Sequence, residues 1–262
     1  MANKASHHKN PAGRFTTVQV VLLITCICSF QRIFMTLNLT DKIIDAQFQD
    51  PLHESVASFI DPDAADCSKV LARFRANDIN VTKDTEDKDY HKAVVAVTKT
   101  EKPFYISTHD SKIDYIRSYI IRDKFYYERE HSKQVANIFN EKSAKGQESI
   151  FLDVGANIGW FSLLAAKHGA TKVFMFEPNL QNVVRICESL NLNQWLREDR
   201  SKDVLIPFPL GLGNVEEVKK LYARAHNNPG AFTFHDTAKD SPVVGEMKIT
   251  TLDSFAERQG WF

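Results

Sequence analysis

From residue 150 onward the apolar positions fall into blocks whose lengths predict alternating strands and helices. Ile150 to Val154 is a short apolar run suited to a strand buried on both faces, and Trp160 to His168 is a helix with Gly169 as its natural stop. Val173 to Phe176 predicts a second buried strand. A helix follows through "NLQNVVRICESLNLN", with Val183, Val184, Ile186 and Leu190 apolar, and "DVLIPFPLGLG" offers a third strand. This order implies an α/β fold with a doubly wound parallel sheet and right-handed crossovers. Beyond it, "VKKLYARAHNNPGAFTFHD" predicts an antiparallel excursion around the turn Asn227 to Gly230, and "MKITTLDSF" resumes extended structure.

Upstream, "AVVAVTKTEKPFYIST" predicts a hairpin, two β-branched or aromatic runs about a polar turn. Ile113, Ile116, Ile120, Val135, Ile138 and Phe139 recur at helical spacing, which predicts two helices broken near Asp123 to Tyr127. Residues 38–92 carry scattered acids, few aromatics and one short helical patch at 68–74, so they read as a stem or linker.

The N-terminal pattern differs from everything after it. Phe15 to Phe30 has no charged residue and follows Lys4, Lys9 and Arg14, which no acid opposes. This is the pattern of a membrane-targeting segment. As a helix these residues reach about 24 Å, short of a hydrocarbon core of roughly 30 Å, and Ile33, Phe34 and Met35 extend the span. An uncleaved anchor, a cleaved signal and a buried helix all fit. The anchor reading divides the chain into a cytoplasmic tail (1–14), a transmembrane signal-anchor helix (15–37), the stem (38–92) and a lumenal or extracellular domain (93–262). Asn38-Leu39-Thr40 and Asn80-Val81-Thr82 match the glycan acceptor pattern expected on that side.

Charge narrows the function. The 33 basic and 33 acidic residues cancel and no run of Lys or Arg occurs, so the electrostatic footprint of a nucleic-acid binder is missing. Of the four cysteines, Cys26 and Cys28 lie in the apolar run; Cys67 and Cys187 alone make no disulfide framework, and no Cys/His cluster has zinc spacing.

The stretch "IFLDVGANIGWFS", residues 150–162, then carries the chemistry. A glycine-containing turn between a first strand and its helix is where a doubly wound sheet receives a cofactor, because the helix N-terminus points unpaired N–H groups at it. The dinucleotide fingerprint G-x-G-x-x-G is absent: Gly155 and Gly159 stand apart with Ala156, Asn157 and Ile158 between, and a pyrophosphate near Asp153 meets a like charge. S-adenosyl-L-methionine fits better, since it has no phosphate and presents an ammonium and a sulfonium that a carboxylate favours. Asp153 serves there, and the backbone from Gly155 to Gly159 approaches the methionine portion where glycine removes the side-chain obstacle. Glu177, at the end of the second strand, is placed to accept hydrogen bonds from ribose hydroxyls. The bland alternative makes Asp153 and Asn157 helix caps, Gly159 a packing glycine and Glu177 a solvated strand end.

"FLDVGANIGWFSLLAAKHGATKVFMFEPNLQNVVRICESLNLN" resembles the FkbM family of S-adenosylmethionine-dependent methyltransferases, with a D-V-G-A-N-I-G turn and an F-E-P second strand end. The resemblance extends through "PLGLGN", "NPGAFTF" and "TTLDSF", and upstream to "FYYERE", covering roughly residues 104–262. It implies a Rossmann-like methyltransferase sheet and O-methylation of a hydroxyl, often on a sugar or natural product. Members of that family continue past the T-L-D-S segment into another core strand. Without that strand the edge of Ile150 to Val154 is expected to stand open, its N–H and C=O groups unpaired, and the chain reads as an incomplete catalytic domain. No catalytic base can be assigned; His226, His235, Asp236 and Asp253 qualify by chemistry alone. A non-catalytic anchored module that retains the fold is the rival reading.

Overall fold

A five-stranded sheet organises the chain, seen in a computed structural model that describes residues 18–26, 31–39, 63–79, 93–109, 115–123, 127–222, 232–234 and 243–261. In chain order the elements begin with strands β1 (Val18–Cys26) and β2 (Gln31–Leu39), helix α1 (Cys67–Ile79), strands β3 (Val94–Val97) and β4 (Tyr105–Thr108), and helices α2 (Tyr115–Arg122) and α3 (Arg129–Ala144). Then come β5 (Ser149–Val154), α4 (Trp160–Lys167), β6 (Lys172–Phe176), α5 (Leu180–Leu192) and β7 (Leu205–Phe208). Strands β8 (Gly211–Gly213), β9 (Glu217–Tyr222) and β10 (Val243–Thr251) and helix α6 (Leu252–Arg258) complete the described chain.

Strands β5, β6 and β7 lie side by side and parallel, with Val154 opposite Phe176 and Phe176 opposite Phe208. Alternate residues face opposite sides, as the pleat requires. Phe151, Val173 and Met175 pack with Phe139 of α3, Leu163 and Leu164 of α4, and Ile186 and Leu190 of α5. Leu152, Phe174, Phe176 and Phe208 turn the other way onto Phe255 of α6, whose ring meets that of Phe176 edge-on at 4.8 Å. Both faces are covered, so the strands are apolar from Ile150 to Leu152 and from Val173 to Phe176. The fold is mixed α/β with a parallel sheet, and the predicted hairpin is present, with β3 and β4 antiparallel from Val94 opposite Thr108. The predicted pair of helices is α2 and α3.

The other edge of β5 corrects two expectations. The edge is not open: β1 pairs with β5 in parallel from Gln19 opposite Ser149 to Ile24 opposite Val154, and β2 pairs antiparallel with β1 outside it. Where a transmembrane signal-anchor helix was expected over 15–37, the described residues form strands, Val18–Cys26 and Gln31–Leu39, and Val21 is fully buried; residues 15–17 and 27–30 lie outside the described residues. Among the described residues no helix is long and apolar enough to cross a membrane. The physical reason lies in the composition of the run. Val18, Val20, Val21 and Ile24 are β-branched, so an uncharged segment of this kind serves a strand as readily as a helix, and the unpaired backbone of β5 supplies the partner.

Part of the expected stem also belongs to the domain. Cys67 and Leu71 of α1 are buried, and Cys67 is disulfide-bonded to Cys187 of α5, with Cα atoms 5.1 Å apart. Just before α1, the Ala65 N–H donates to the Pro207 carbonyl at 2.8 Å and the Ala65 carbonyl accepts from Arg200 Nη2 at 2.8 Å. Residues 40–62 and 80–92 of that stretch lie outside the described residues.

A second, three-stranded sheet places β10 between β8 and β9. "MKITTLDSF" is extended only through Thr251. The Thr251 hydroxyl accepts the Ser254 N–H at 3.0 Å and so caps α6, which turns the rest of that stretch into helix.

Candidate functional site

The loop from Gly155 to Gly159 leaves β5 in alternating handedness, with positive φ at Gly155 (79°), Asn157 (55°) and Gly159 (83°). Asparagine is among the few residues with a side chain that adopt this region readily. At Gly159 a second constraint applies, because a Cβ there would stand 3.2 Å from Cγ1 of Ile186 on α5. The bend is fastened to the adjacent strand. The N–H groups of Gly155 and Ala156 both donate to the Phe176 carbonyl, at 2.9 and 3.0 Å, and Gly159 N–H donates to the Ala156 carbonyl at 2.8 Å.

The predicted residues come together at this point. Glu177 follows β6 directly, and its Oε2 accepts the Asn157 N–H at 2.7 Å. Its Oε1 accepts the Asn179 N–H at 2.9 Å and Asn182 Nδ2 at 3.2 Å. The residue is only 6% exposed. Burial pushes its carboxyl up to about 7; the three donors oppose that shift and the neighbouring charge of Asp153 adds to it. Asp153 is buried one strand away, and its Oδ2 accepts the Ser162 hydroxyl of α4 at 2.6 Å. Two buried carboxyls thus lie at the carboxyl ends of adjacent parallel strands, the end at which doubly wound sheets bind ligands. The reading of Glu177 as a solvated strand end does not hold, nor does a capping role for Asp153 and Asn157: Gly159 is the N-cap of α4.

Asn179, Asn182, Ser162 and His109 belong to the site and were not singled out in the sequence. Asn179 caps α5, its Oδ1 accepting the Gln181 N–H at 3.1 Å, a role that its position before an apolar helical run could have signalled. His109 reaches the site from the end of β4, its Nε2 lying 2.9 Å from Asn182 Oδ1. Burial holds the imidazole down to about 4, the hydrogen bond to Asn182 opposes that shift, and the Arg185 cation nearby adds to it.

Of the candidate bases, Asp253 sits exposed in the first turn of α6, on the opposite side of the sheet from the α3–α5 core. His226, His235 and Asp236 lie outside the described residues. A shallow cleft lies elsewhere, lined by Asp66, Cys67, Arg197, Arg200 and Asp203, and includes none of the predicted site residues. Comparisons with protein-family models, curated proteins and solved structures find no match to the chain.

Proposed function

We propose that this chain is an S-adenosyl-L-methionine-dependent methyltransferase that acts on a hydroxyl of a glycan or small molecule. The observation that carries the reading is the 2.7 Å hydrogen bond from Asn157 N–H to Glu177 Oε2, which joins the glycine bend to the acid at the end of the next strand. A carboxylate offers about four lone-pair directions, and three donors engage Glu177, so Oε2 keeps one for a ribose hydroxyl. Asp153 supplies negative charge for the ammonium. Gly155, Ala156, Asn157 and Gly159 supply a bend in which the two positive-φ glycines, 155 and 159, present no side chain to the backbone's approach. When bound, the cofactor supplies a methyl group on positively charged sulfur, which a hydroxyl oxygen displaces. The chain's own contribution is orientation and the exclusion of water, and no described residue is assigned as the base.

One observation favours a second reading. Asn157, Asn179 and Asn182 already engage the Glu177 carboxylate three times over, as in a purely structural acid, which suits a non-catalytic module that retains the fold. Calorimetric titration of the full chain with S-adenosylmethionine separates the two. Saturable heat supports the enzyme, and an intact fold without heat leaves the module.

We also propose that the domain lies in the secretory lumen or at the cell exterior. The Cys67–Cys187 disulfide supports this, because such bonds persist in oxidising compartments.

A further inference from the structure

We propose that His109 is a positioning residue for the cofactor's ribose, acting through Asn182 to fix the direction in which the Glu177 carboxylate faces the bend at Asn157. The inference rests on the methyltransferase reading and extends it to a residue 68 positions upstream of the acid it serves.

The hairpin delivers His109 because the side chains of α5 bind the backbone of β4. Asn193 Oδ1 accepts the Tyr105 N–H at 2.9 Å and Ser189 Oγ accepts the Ser107 N–H at 2.9 Å. Ser107 Oγ donates to Glu188 Oε2 at 2.5 Å. The strand thus runs back along the helix towards its start, and His109 arrives beside Asn182, in the first turn after Glu177. Each of these bonds is long-range, so the placement belongs to the fold and not to local chain preference.

The order of donors and acceptors is then forced from the acid outward. Above pH 7 the Glu177 carboxyl is ionised and only accepts, so Asn182 must turn its amide nitrogen to Glu177 Oε1. Its carbonyl oxygen is left facing His109, which must therefore carry its proton on Nε2 and donate. No described residue bonds His109 Nδ1, so Asn182 alone selects the tautomer. The Asn182 amide rotated by half a turn would set oxygen against carboxylate oxygen. His109 makes that rotation unfavourable, because the same rotation would set its N–H against an N–H. With His109 replaced by an apolar residue the amide can rotate, and Glu177 loses one of the donors that aim it.

The test is calorimetry on the full chain with two probes, S-adenosylhomocysteine and its 2′,3′-dideoxyribose analogue, in the wild type, His109→Leu and His109→Gln. His109→Leu is expected to weaken S-adenosylhomocysteine binding by about tenfold, the worth of one net hydrogen bond to a charged group. It is expected to leave the dideoxy analogue unchanged. His109→Gln, which keeps an N–H donor within reach, is expected to restore the loss. Equal weakening of both probes, or no weakening of either, overturns the relay while the methyltransferase reading stands. A folded wild type that binds neither probe overturns both. Nitrogen-15 NMR of the wild type provides a check that needs no variant: a proton on Nε2 with bare Nδ1 supports the relay, and the opposite tautomer overturns it.

Discussion

Cys67 of α1 and Cys187 of α5 stand 120 positions apart in sequence and are joined by a disulfide in which both residues are buried. The bond ties a segment that reads as linker to the helix whose first turn carries Asn182. Cross-linking a loop of this length stabilises by roughly 2 to 5 kcal/mol. Reduction with dithiothreitol, or Cys67→Ser with Cys187→Ser, should lower the urea midpoint accordingly, with the free thiol count rising on reduction. A midpoint indifferent to reductant would count against the bond.

Glu177 and His109 impose opposite dependences on pH. Glu177 has its pKa raised in the fold, from 4.5 to about 7, so the folded chain retains a proton that the unfolded chain releases. Its contribution to stability is fully present below pH 4.5 and is lost as pH rises through 7, a change on the order of 3 kcal/mol. His109 is lowered from 6.5 to about 4, so its contribution is present above 6.5 and is lost as pH falls through 4. The two slopes largely cancel in the wild type. Glu177→Gln should expose the histidine slope, raising the melting temperature relative to wild type more at pH 8 than at pH 5. His109→Gln should expose the slope of the acid, with stability falling between pH 4.5 and 7. Parallel wild-type and Glu177→Gln profiles would contradict the assignment.

The strand and helix blocks after residue 150 were legible because each has the period or length of one element, and Gly155, Gly159 and Glu177 mark the ends where a doubly wound sheet binds. Ile150 to Val154 and Val173 to Phe176 each fall one residue short of their strand, at the N-terminal end. What was not legible is non-local. His109 and Asn182 are 73 positions apart, and neither has a local pattern that predicts the other. The disulfide has the same character. Val18 to Cys26 is a strand where a helix was expected, for a different reason: an uncharged apolar run has no period, so only the vacancy beside β5 decides between strand and helix. Thr251 did carry a signal, a capping threonine before Leu252, that the extended reading of "TTLDSF" passed over.

Asp153 is the charge the reading assigns to the cofactor's ammonium. Asp153→Asn keeps shape and leaves an oxygen for the Ser162 hydroxyl, which now donates to Asp153 Oδ2 at 2.6 Å. Losing a charged hydrogen-bond partner costs about 1.5 to 3 kcal/mol, so S-adenosylmethionine affinity should fall roughly 10- to 100-fold with the fold intact. Calorimetry and circular dichroism on the same sample check both parts.

Gly159 is constrained twice, by φ of 83° and by Ile186 Cγ1 at 3.2 Å from where a Cβ would stand. Gly159→Ala should destabilise the fold by about 1 to 3 kcal/mol in urea unfolding. In an Ile186→Ala background, which lacks Cγ1, the added cost of Gly159→Ala should shrink by the steric part alone. An equal cost in both backgrounds would mean that the backbone angle carries the whole of it.

Val21 decides between two incompatible fates of the N-terminal run. It is fully buried, opposite Phe151 of β5, and a segment paired in this sheet cannot also cross a bilayer. An aspartate at a dry, apolar strand position has no partner, and burying such a group costs on the order of 3 kcal/mol or more. Val21→Asp should therefore lower the urea midpoint of the full chain and promote association through the uncovered edge of β5, seen as increased light scattering. If residues 18–26 instead spent their time outside the domain, the substitution would leave the midpoint where it was. The hairpin would then have no part in completing the sheet.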